Sequence, residues 1–408
     1  MERTILHCDC NGFFASVECL FHPELKTVPM AVGGDSESRH GIILAKNELA
    51  KKYNIQTAET IWQAKKKCPD LVVVPPRHGE YSKYSKIIND IYKEYTDLVE
   101  PFGIDESWLD VTASRRLFGD GKSIADAVRN RVKQEVGLTI SVGVSFNKVF
   151  AKLGSDYKKP DATTVITREN MERIVYPLPV SALLFVGKKT LEKLHHMQIQ
   201  TIGDLAYADR GLLLDRLGKT GEMLSLYARG EDEEPVKSIY HQDEVKSVGN
   251  GMTFKRDLLG EEDVKQGIHI LADSVATRLR KKGLKCETVQ LQIKSPDFNV
   301  ASKQKKLFAP TSLEKEISNV AYELFLDVWS VDRPVRAMTI TGTNLIDGKA
   351  AAQLSLLPEE KDTEKRIRLE ETIDVLRSRY GYDSLQKAEI IGSDIYGHTK
   401  HVKKDNEQ

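Results

Sequence analysis

An α+β fold of several domains is what this chain predicts, on three observations. Strand and helix periodicities follow one another as β-α-β-β-α-β before residue 165, and again after residue 243. A stretch of mainly helical pattern, 166–230, separates the two runs. The length, 408 residues, is more than a single core organises.

The first run begins with TILHCD (4–9), a short strand with a polar end. FFASVECLF follows, with Phe13, Val17, Leu20 and Phe21 at helical spacing. In YSKYSKIINDIYKEY, Tyr84, Ile88, Ile91 and Tyr95 form one helical stripe. LVEPFGIDESWLDVT reads as two short strands about a turn at Gly103 to Glu106. SIADAVRNRVKQEV spaces Ile124, Val128, Val132 and Val136 four apart, and LTISVGV is a strand. With the segment between residues 22 and 78 set aside, the order is ferredoxin-like, and its first strand neighbours the hairpin. That topology brings Asp9 towards Asp105 and Glu106.

The second run is of the same kind. VKSVGNGMTF is a strand, EDVKQGIHILADSVATRLRKK a helix, and CETVQLQIKS alternates cleanly. Val289, Leu291 and Ile293 face one way, and Thr288, Gln290, Gln292 and Lys294 the other. A strand at 300–307, a helix at 312–328 and a strand at 335–344 complete it. Two helices can cover the apolar face, while the opposite face is expected to be polar, basic and open. RGEDEEPVKSIYHQDEVKS is charged and nearly free of bulky aliphatics, as linkers are. The end, 358–408, is highly charged, with one amphipathic helix carrying Ile367, Ile373, Leu376 and Tyr380.

Composition narrows the class. No apolar run approaches the length that crosses a bilayer, and the N-terminus lacks the pattern of a signal peptide. Five scattered cysteines suit a reducing cytoplasm. Sixty basic residues balance sixty acidic ones, so net charge does not announce nucleic acid. The local runs RLRKKGLK (278–285) and KQKK (303–306) are basic, although either alone reads as a solvated face.

Three carboxylates stand out by position: Asp9 at a strand end, and the pair Asp105 and Glu106 in a turn. Adjacent strand residues point to opposite faces, but a turn breaks that alternation and lets both face one site. Converging carboxylates repel strongly unless a cation joins them. Hard oxygen ligands with no imidazole or thiolate partner select Mg2+ or Mn2+. Pairs of such ions serve in-line displacement at phosphorus. Any one of these acids alone would read as solvated; strand order and turn together point to a site. Zinc at Cys8 and Cys10 would need further soft ligands, which the spacing does not offer.

HCDCNGFFASVE, GIDESWLDVT, SVGVSFNKVFAKLGSDYKKPD and KSVGNGMTFKRD occur in that order over about residues 1–345. Together they resemble the motifs of the Y-family DNA polymerases. The resemblance implies a template-directed, low-fidelity polymerase for translesion synthesis, moving a dNTP onto a primer 3'-hydroxyl through two Mg2+ ions, with Mn2+ able to substitute. No second acidic constellation suggests a proofreading exonuclease. It implies a ferredoxin-like palm (1–35 and 77–165), a small fingers insertion (36–76) and a helical thumb (166–230). A linker (231–242), a little finger (243–345) and a tail (346–408) follow.

By the same resemblance, Asp9, Asp105 and Glu106 match the metal ligands, and the Cys10 carbonyl a further one. Phe14 matches the aromatic gate that crowds a ribose 2'-hydroxyl; Phe13 already fits the apolar stripe and Phe14 falls off it. Phe13, Phe14, Lys51, Lys159 and Lys46 are the nucleotide-binding candidates. The thumb stretch LLFVGKKTLEKLHHMQIQTIGDLA resembles a helix-hairpin-helix turning at Val186, Gly187 and Lys188, whose amides can meet a DNA phosphate. Gly187, Lys188, Arg278, Arg280, Lys281 and Lys282 are the DNA-binding candidates. QLSLL in the tail resembles a sliding-clamp peptide, with Gln353, Leu354, Leu356 and Leu357 as its contacts. Primer-template DNA, a dNTP and the bacterial clamp are the implied partners of a monomer.

The fingers depart from the family pattern. Glu48 and Lys51 stand where a tyrosine and an arginine are usual, and Ile42 and Leu44 are bulkier than the usual residues. Asn11 stands where aspartate is common. A carboxylate facing a triphosphate is unfavourable, and lysine offers a point charge in place of a planar fork. These departures motivate an alternative, a DNA-binding accessory protein with weakened catalysis. A nucleotide cyclase is a third reading, but GGDS (33–36) is misplaced relative to the hairpin for that chemistry.

Overall fold

The computed structural model describes residues 2–34, 41–241, 243–348, 360–391 and 393–395. Its strands, in chain order, are β1 (Ile5–Cys10), β2 (Met30–Gly33), β3 (Ile43–Lys46), β4 (Val72–Val74), β5 (Val99–Pro101) and β6 (Glu106–Asp110). They continue with β7 (Ile140–Ser145), β8 (Thr163–Val165), β9 (Ser247–Leu258), β10 (Leu284–Lys294), β11 (Val300–Thr311) and β12 (Val335–Asp347). Two compact units separate at residue 242.

In the first unit the main sheet runs β5-β6-β1-β7-β8, and its first four strands have the ferredoxin-like order. β1 is nearly all buried, and its register sets Asp9 opposite Glu106 on β6. The helices Phe13–Phe21, His78–Lys93 and Gly121–Arg131 cover one face through Val17, Ile88, Ile91, Ile124 and Val128. Val132 and Val136, the last of the four-spaced residues, also reach the core, through a π-helical turn at Val132–Val136. The inserted segment folds as a small sheet, β3-β2-β4.

Two glycines set the close approaches around the site. Gly12 starts the Phe13–Phe21 helix at φ 55°, and a Cβ there would stand 3.1 Å from the Lys46 carbonyl. β3 can therefore lie directly over the start of that helix. At Gly143 on β7, a Cβ would fall 1.8 Å from the Ala151 carbonyl, so the Lys148–Tyr157 helix packs almost backbone to backbone on the sheet. Asn147 caps this helix by accepting from the Phe150 amide at 2.8 Å.

The charged stretch after residue 230 is anchored, not loose. The Arg3 guanidinium donates to the carbonyls of Asp232, Glu233 and Glu234, each at 3.1 Å. Val236 is buried against Ile5, Trp108 and Ala151, and the Lys237 amide donates to Glu100 at 2.9 Å. Low aliphatic content suggested a linker; backbone hydrogen bonds and one valine suffice to fasten part of it to the first unit.

The second unit repeats the element order but not the strand order. Its sheet runs β11-β10-β12-β9, all antiparallel, so the expected β-α-β-β-α-β succession is present with a strand order of its own. Val289, Leu291, Ile293, Met338 and Ile340 face the helices Glu261–Lys281 and Glu314–Val328. The opposite face carries Gln290, Gln292, Lys294, Ser302, Gln304, Lys306, Thr339 and Thr341, so it is polar, with fewer lysines than the basic run at 303–306 suggests. Register explains the difference: Lys303 and Lys305 lie opposite Leu291 and Val289, on the helical side. There they pair with Asp327 at 3.0 Å and Glu323 at 2.5 Å.

The Glu360–Tyr380 helix is fastened by charge: Glu370 and Asp374 hold Arg280, and Arg377 holds Asp273 at 2.7 Å. Of its aliphatic stripe, Ile367 and Ile373 are half-buried and Leu376 and Tyr380 exposed.

Candidate active site

Asp9 and Asp105 line a cavity of about 380 Å³ together with Cys10, Phe13, Phe14, Leu44, Lys46, Lys51 and Lys159. β1 supplies Asp9, the β5–β6 turn supplies Asp105, and the Cys10 amide donates to the Asp105 carbonyl at 3.0 Å, pinning turn to strand. Glu106, opposite Asp9 in the β1–β6 register, adjoins the cavity without lining it. Its Oε2 meets Lys152 Nζ and lies 3.2 Å from His7 Nε2.

The carboxylates differ in state. Burial raises Asp9, partly offset by Lys159, whose ammonium lies 2.8 Å away. Asp105 is pushed up to about 6 by burial, with Asp9 and Glu106 adding repulsion. Burial acts on Glu106 in the same direction, but His7 and Lys152 outweigh it and hold that carboxyl at about 2. Such a set fits a divalent cation: hard oxygens, crowded, half-buried and short of positive charge.

Among the described residues, the tightest grouping of metal-capable atoms is His7, Asp9 and Glu106, within 4.8 Å of one another. His7 is two residues before Asp9, so β1 turns both side chains to one face. That alternation was readable. Lys152 and Ser155, three apart on one helical face, could likewise have been found.

Phe14 stacks on Tyr81, with ring centroids 4.0 Å apart and 15° between planes. The Tyr81 hydroxyl donates to Glu18 at 2.6 Å, and Arg77 clamps the same carboxylate at 2.5 Å. The ring at the cavity wall is thus backed by a buried, fully partnered network. Phe13 points into the core beside it.

Around the cavity, Lys51 is paired with Glu48 at 2.5 Å. Lys46 Nζ donates to the Thr57 hydroxyl at 3.3 Å, and its pKa is lowered by burial and by Lys51. Asn11 is buried, donating to Ser141 and accepting from the Asp161 amide, each at 2.9 Å. It serves as a structural tie where an aspartate would add charge. Leu44 lines the cavity, whereas Ile42 does not.

The remaining candidates are dispersed. Gly187 caps the Lys188–His196 helix with open space before it. Lys281 and Lys282 are exposed. Arg278 donates to the Gly249 carbonyl at 2.7 Å. Arg280 is a correction: only 8% of its side chain is exposed, and it is engaged by Glu370, Asp374 and the Ser312 carbonyl. Position in a basic run suggested a DNA contact, but its carboxylate partners are supplied almost a hundred residues later. Gln353, Leu354, Leu356 and Leu357 lie outside the described residues.

Two models of the impB/mucB/samB family match, the first over residues 8–156 and that of its C-terminal domain over 245–356. The chain is 49% identical to DNA polymerase IV of Acetivibrio thermocellus, over 96% of this chain and 98% of that protein. It is 36% identical to DNA polymerase IV 1 of Bacillus subtilis, over 96% and 94%. The chain belongs to the Y-family of DNA polymerases. A solved Y-family DNA polymerase chimera has the same fold, with TM-score 0.74 and 24% identity over 84% of this chain and 99% of that one. The Y-family architecture accounts for a palm-like sheet carrying the acids. Y-family enzymes work with divalent metal ions, in keeping with the acidic cluster described. Among the described residues no helix is long and apolar enough to cross a membrane.

Proposed function

We propose that this chain is a DNA-directed DNA polymerase of the translesion kind, with its reaction centre at Asp9, Asp105 and Glu106. The observation that carries the site assignment is the set of mutually repelling carboxylates on adjoining strands, two of them facing the cavity beside Phe14. Family membership supports the activity.

Asp9, Asp105, Glu106 and the Cys10 carbonyl would hold two Mg2+ ions, or Mn2+ in their place. Bound there, divalent ions supply Lewis-acid activation and charge neutralisation for displacement at phosphorus. The protein's own residues do the rest. Phe14, stiffened by Tyr81, crowds a ribose 2'-hydroxyl and so selects deoxynucleotides. Lys159, Lys46 and Lys51 supply positive charge for the triphosphate, Lys51 less because Glu48 neutralises it. Gly187 and Lys188 of a thumb (166–230), and Arg278, Lys281 and Lys282 of a little finger (243–345), meet the duplex backbone without reading sequence. The palm is assigned to 1–35 and 77–165, the fingers to 36–76, the linker to 231–242 and the tail to 346–408. Gln353, Leu354, Leu356 and Leu357 of that tail engage a sliding clamp. The enzyme works as a cytoplasmic monomer without proofreading.

Primer extension by the purified protein tests the reading. Template-directed extension with Mg2+ or Mn2+, lost in Glu106→Ala, is expected. Duplex binding with no incorporation would favour the accessory protein instead.

A further inference from the structure

Phe14 and Glu18 lie four apart on the Phe13–Phe21 helix, and Arg77 and Tyr81 lie four apart where the His78–Lys93 helix begins. Residues at that spacing share a helix face, and here the two faces meet. Phe14 stacks on Tyr81 at the cavity wall, and behind it Glu18 accepts from the Tyr81 hydroxyl at 2.6 Å. Arg77 grips the same carboxylate as a fork. Its Nη2 donates to Oε2 at 2.5 Å, and its Nε donates to Oε2 at 3.0 Å and Oε1 at 3.2 Å. The guanidinium also lies over Phe21, 4.2 Å from the ring centre. His78 stands edge-on to Phe14 and to Tyr81, with centroids 6.0 and 5.8 Å away. Glu18 is only 2% exposed, and Tyr81 is fully buried. A buried ion pair adds little stability over apolar packing of the same volume, so its distinctive contribution here is a fixed geometry.

We propose that Glu18 is a positioning residue for sugar selection, holding Tyr81, and through it the Phe14 ring, where a ribose 2'-hydroxyl would fall. The inference rests on the assignment of Phe14 as the gate. A gate discriminates only if its ring does not yield when the hydroxyl presses on it. Stacking tolerates lateral offset, so it does not by itself fix the Phe14 ring. Tyr81 gives it a backing that cannot slide. Its backbone is helical, and its hydroxyl is tethered to a carboxylate that a planar guanidinium holds. Arg77 is also the first residue after the segment assigned to the fingers. The same ion pair therefore fastens the return of that segment to the helix that carries the gate.

The test uses the full chain with primer-template DNA, offered one dNTP or the matching rNTP opposite the same template base. The readout is the ratio of the two kcat/KM values, which does not depend on how much of a variant is folded. Glu18→Met keeps the volume and removes both contacts, Glu18→Gln restores an acceptor, and Tyr81→Phe keeps the ring and removes only the tether. In Glu18→Met and Tyr81→Phe the preference for dNTP falls about 10-fold, because incorporation of the rNTP rises. Glu18→Gln recovers part of the preference. A wild-type ratio in Glu18→Met and Tyr81→Phe, even with both substrates used more slowly, shows a packing role alone and overturns the proposal. Should Glu18→Met fail to fold, a wild-type ratio in Tyr81→Phe overturns it. Phe14→Ala separates the two readings. A wild-type ratio there overturns the gate assignment itself; a lost preference there beside wild-type ratios in the other variants overturns only the positioning role.

Discussion

The carboxylate cluster of the first unit and the ion-pair network of the second unit both bury charge, with opposite balance. In the second unit each buried acid meets a partner: Arg280 lies between Glu370 and Asp374, and Asp273 takes both Arg377 and the Tyr382 hydroxyl. Charges that cancel within the protein fasten one element to another. In the first unit Asp9, Asp105 and Glu106 crowd together, and Lys159 and Lys152 neutralise only part of them. The remainder costs stability, which the divalent ions proposed at this site would offset. Paired burial makes structure, and like-charged burial makes a site.

The largest expected effect breaks the site side of this comparison. Asp105→Asn or Glu106→Ala lowers incorporation by about 10²–10³-fold or more, the scale for losing one charge-stabilising group, measured in single-turnover assays. On the structural side, Arg280→Ala strands Glu370 and Asp374 and costs about 3–5 kcal/mol in the second unit, read from denaturant unfolding. DNA affinity then changes no more than this destabilisation accounts for, because Arg280 is not at the surface.

Opposite signs sharpen the comparison within the site itself. Asp105 titrates at about 6, above its unfolded value, so the stability its neutral form allows is full below about pH 4 and lost as pH rises through about 6. The Tm advantage of Asp105→Asn without divalent ions therefore grows across that window and stays above it. Glu106 titrates at about 2, so its charged form stabilises above its unfolded value and the benefit is lost as pH falls towards about 2. Glu106→Gln accordingly lowers Tm at neutral pH, while Asp105→Asn raises it.

The smallest effect is expected in the fingers. Lys51→Ala changes stability by no more than about 1 kcal/mol, as exposed pairs do, and weakens dNTP binding less than Lys159→Ala or Lys46→Ala. A KM series over the three variants checks the ranking.

Much of the site was legible because it depends on short-range facts. Asp9 at a strand end, an acid in the turn with a second at the start of the next strand, and the ferredoxin-like order require only periodicity and turn chemistry. His7 was legible too, through the two-residue alternation of β1 that puts it on the face of Asp9. Other features were not local. Lys303 and Lys305 changed faces because register, not composition, assigns them. Arg280 was lost to DNA because its partners come from a helix beginning at Glu360. The ion pairs that fasten that helix are likewise not encoded by an amphipathic stripe.

Thermal unfolding with and without Mn2+, wild type beside Asp105→Asn at neutral pH, tests most directly the claim that like-charged burial makes this a metal site. Wild type should gain Tm with Mn2+. Asp105→Asn should start about 2–4 °C higher, the shift that about 1 kcal/mol gives a domain of this size, and respond weakly to the ion. A wild type indifferent to Mn2+, or an Asp105→Asn less stable than wild type without it, would contradict the account.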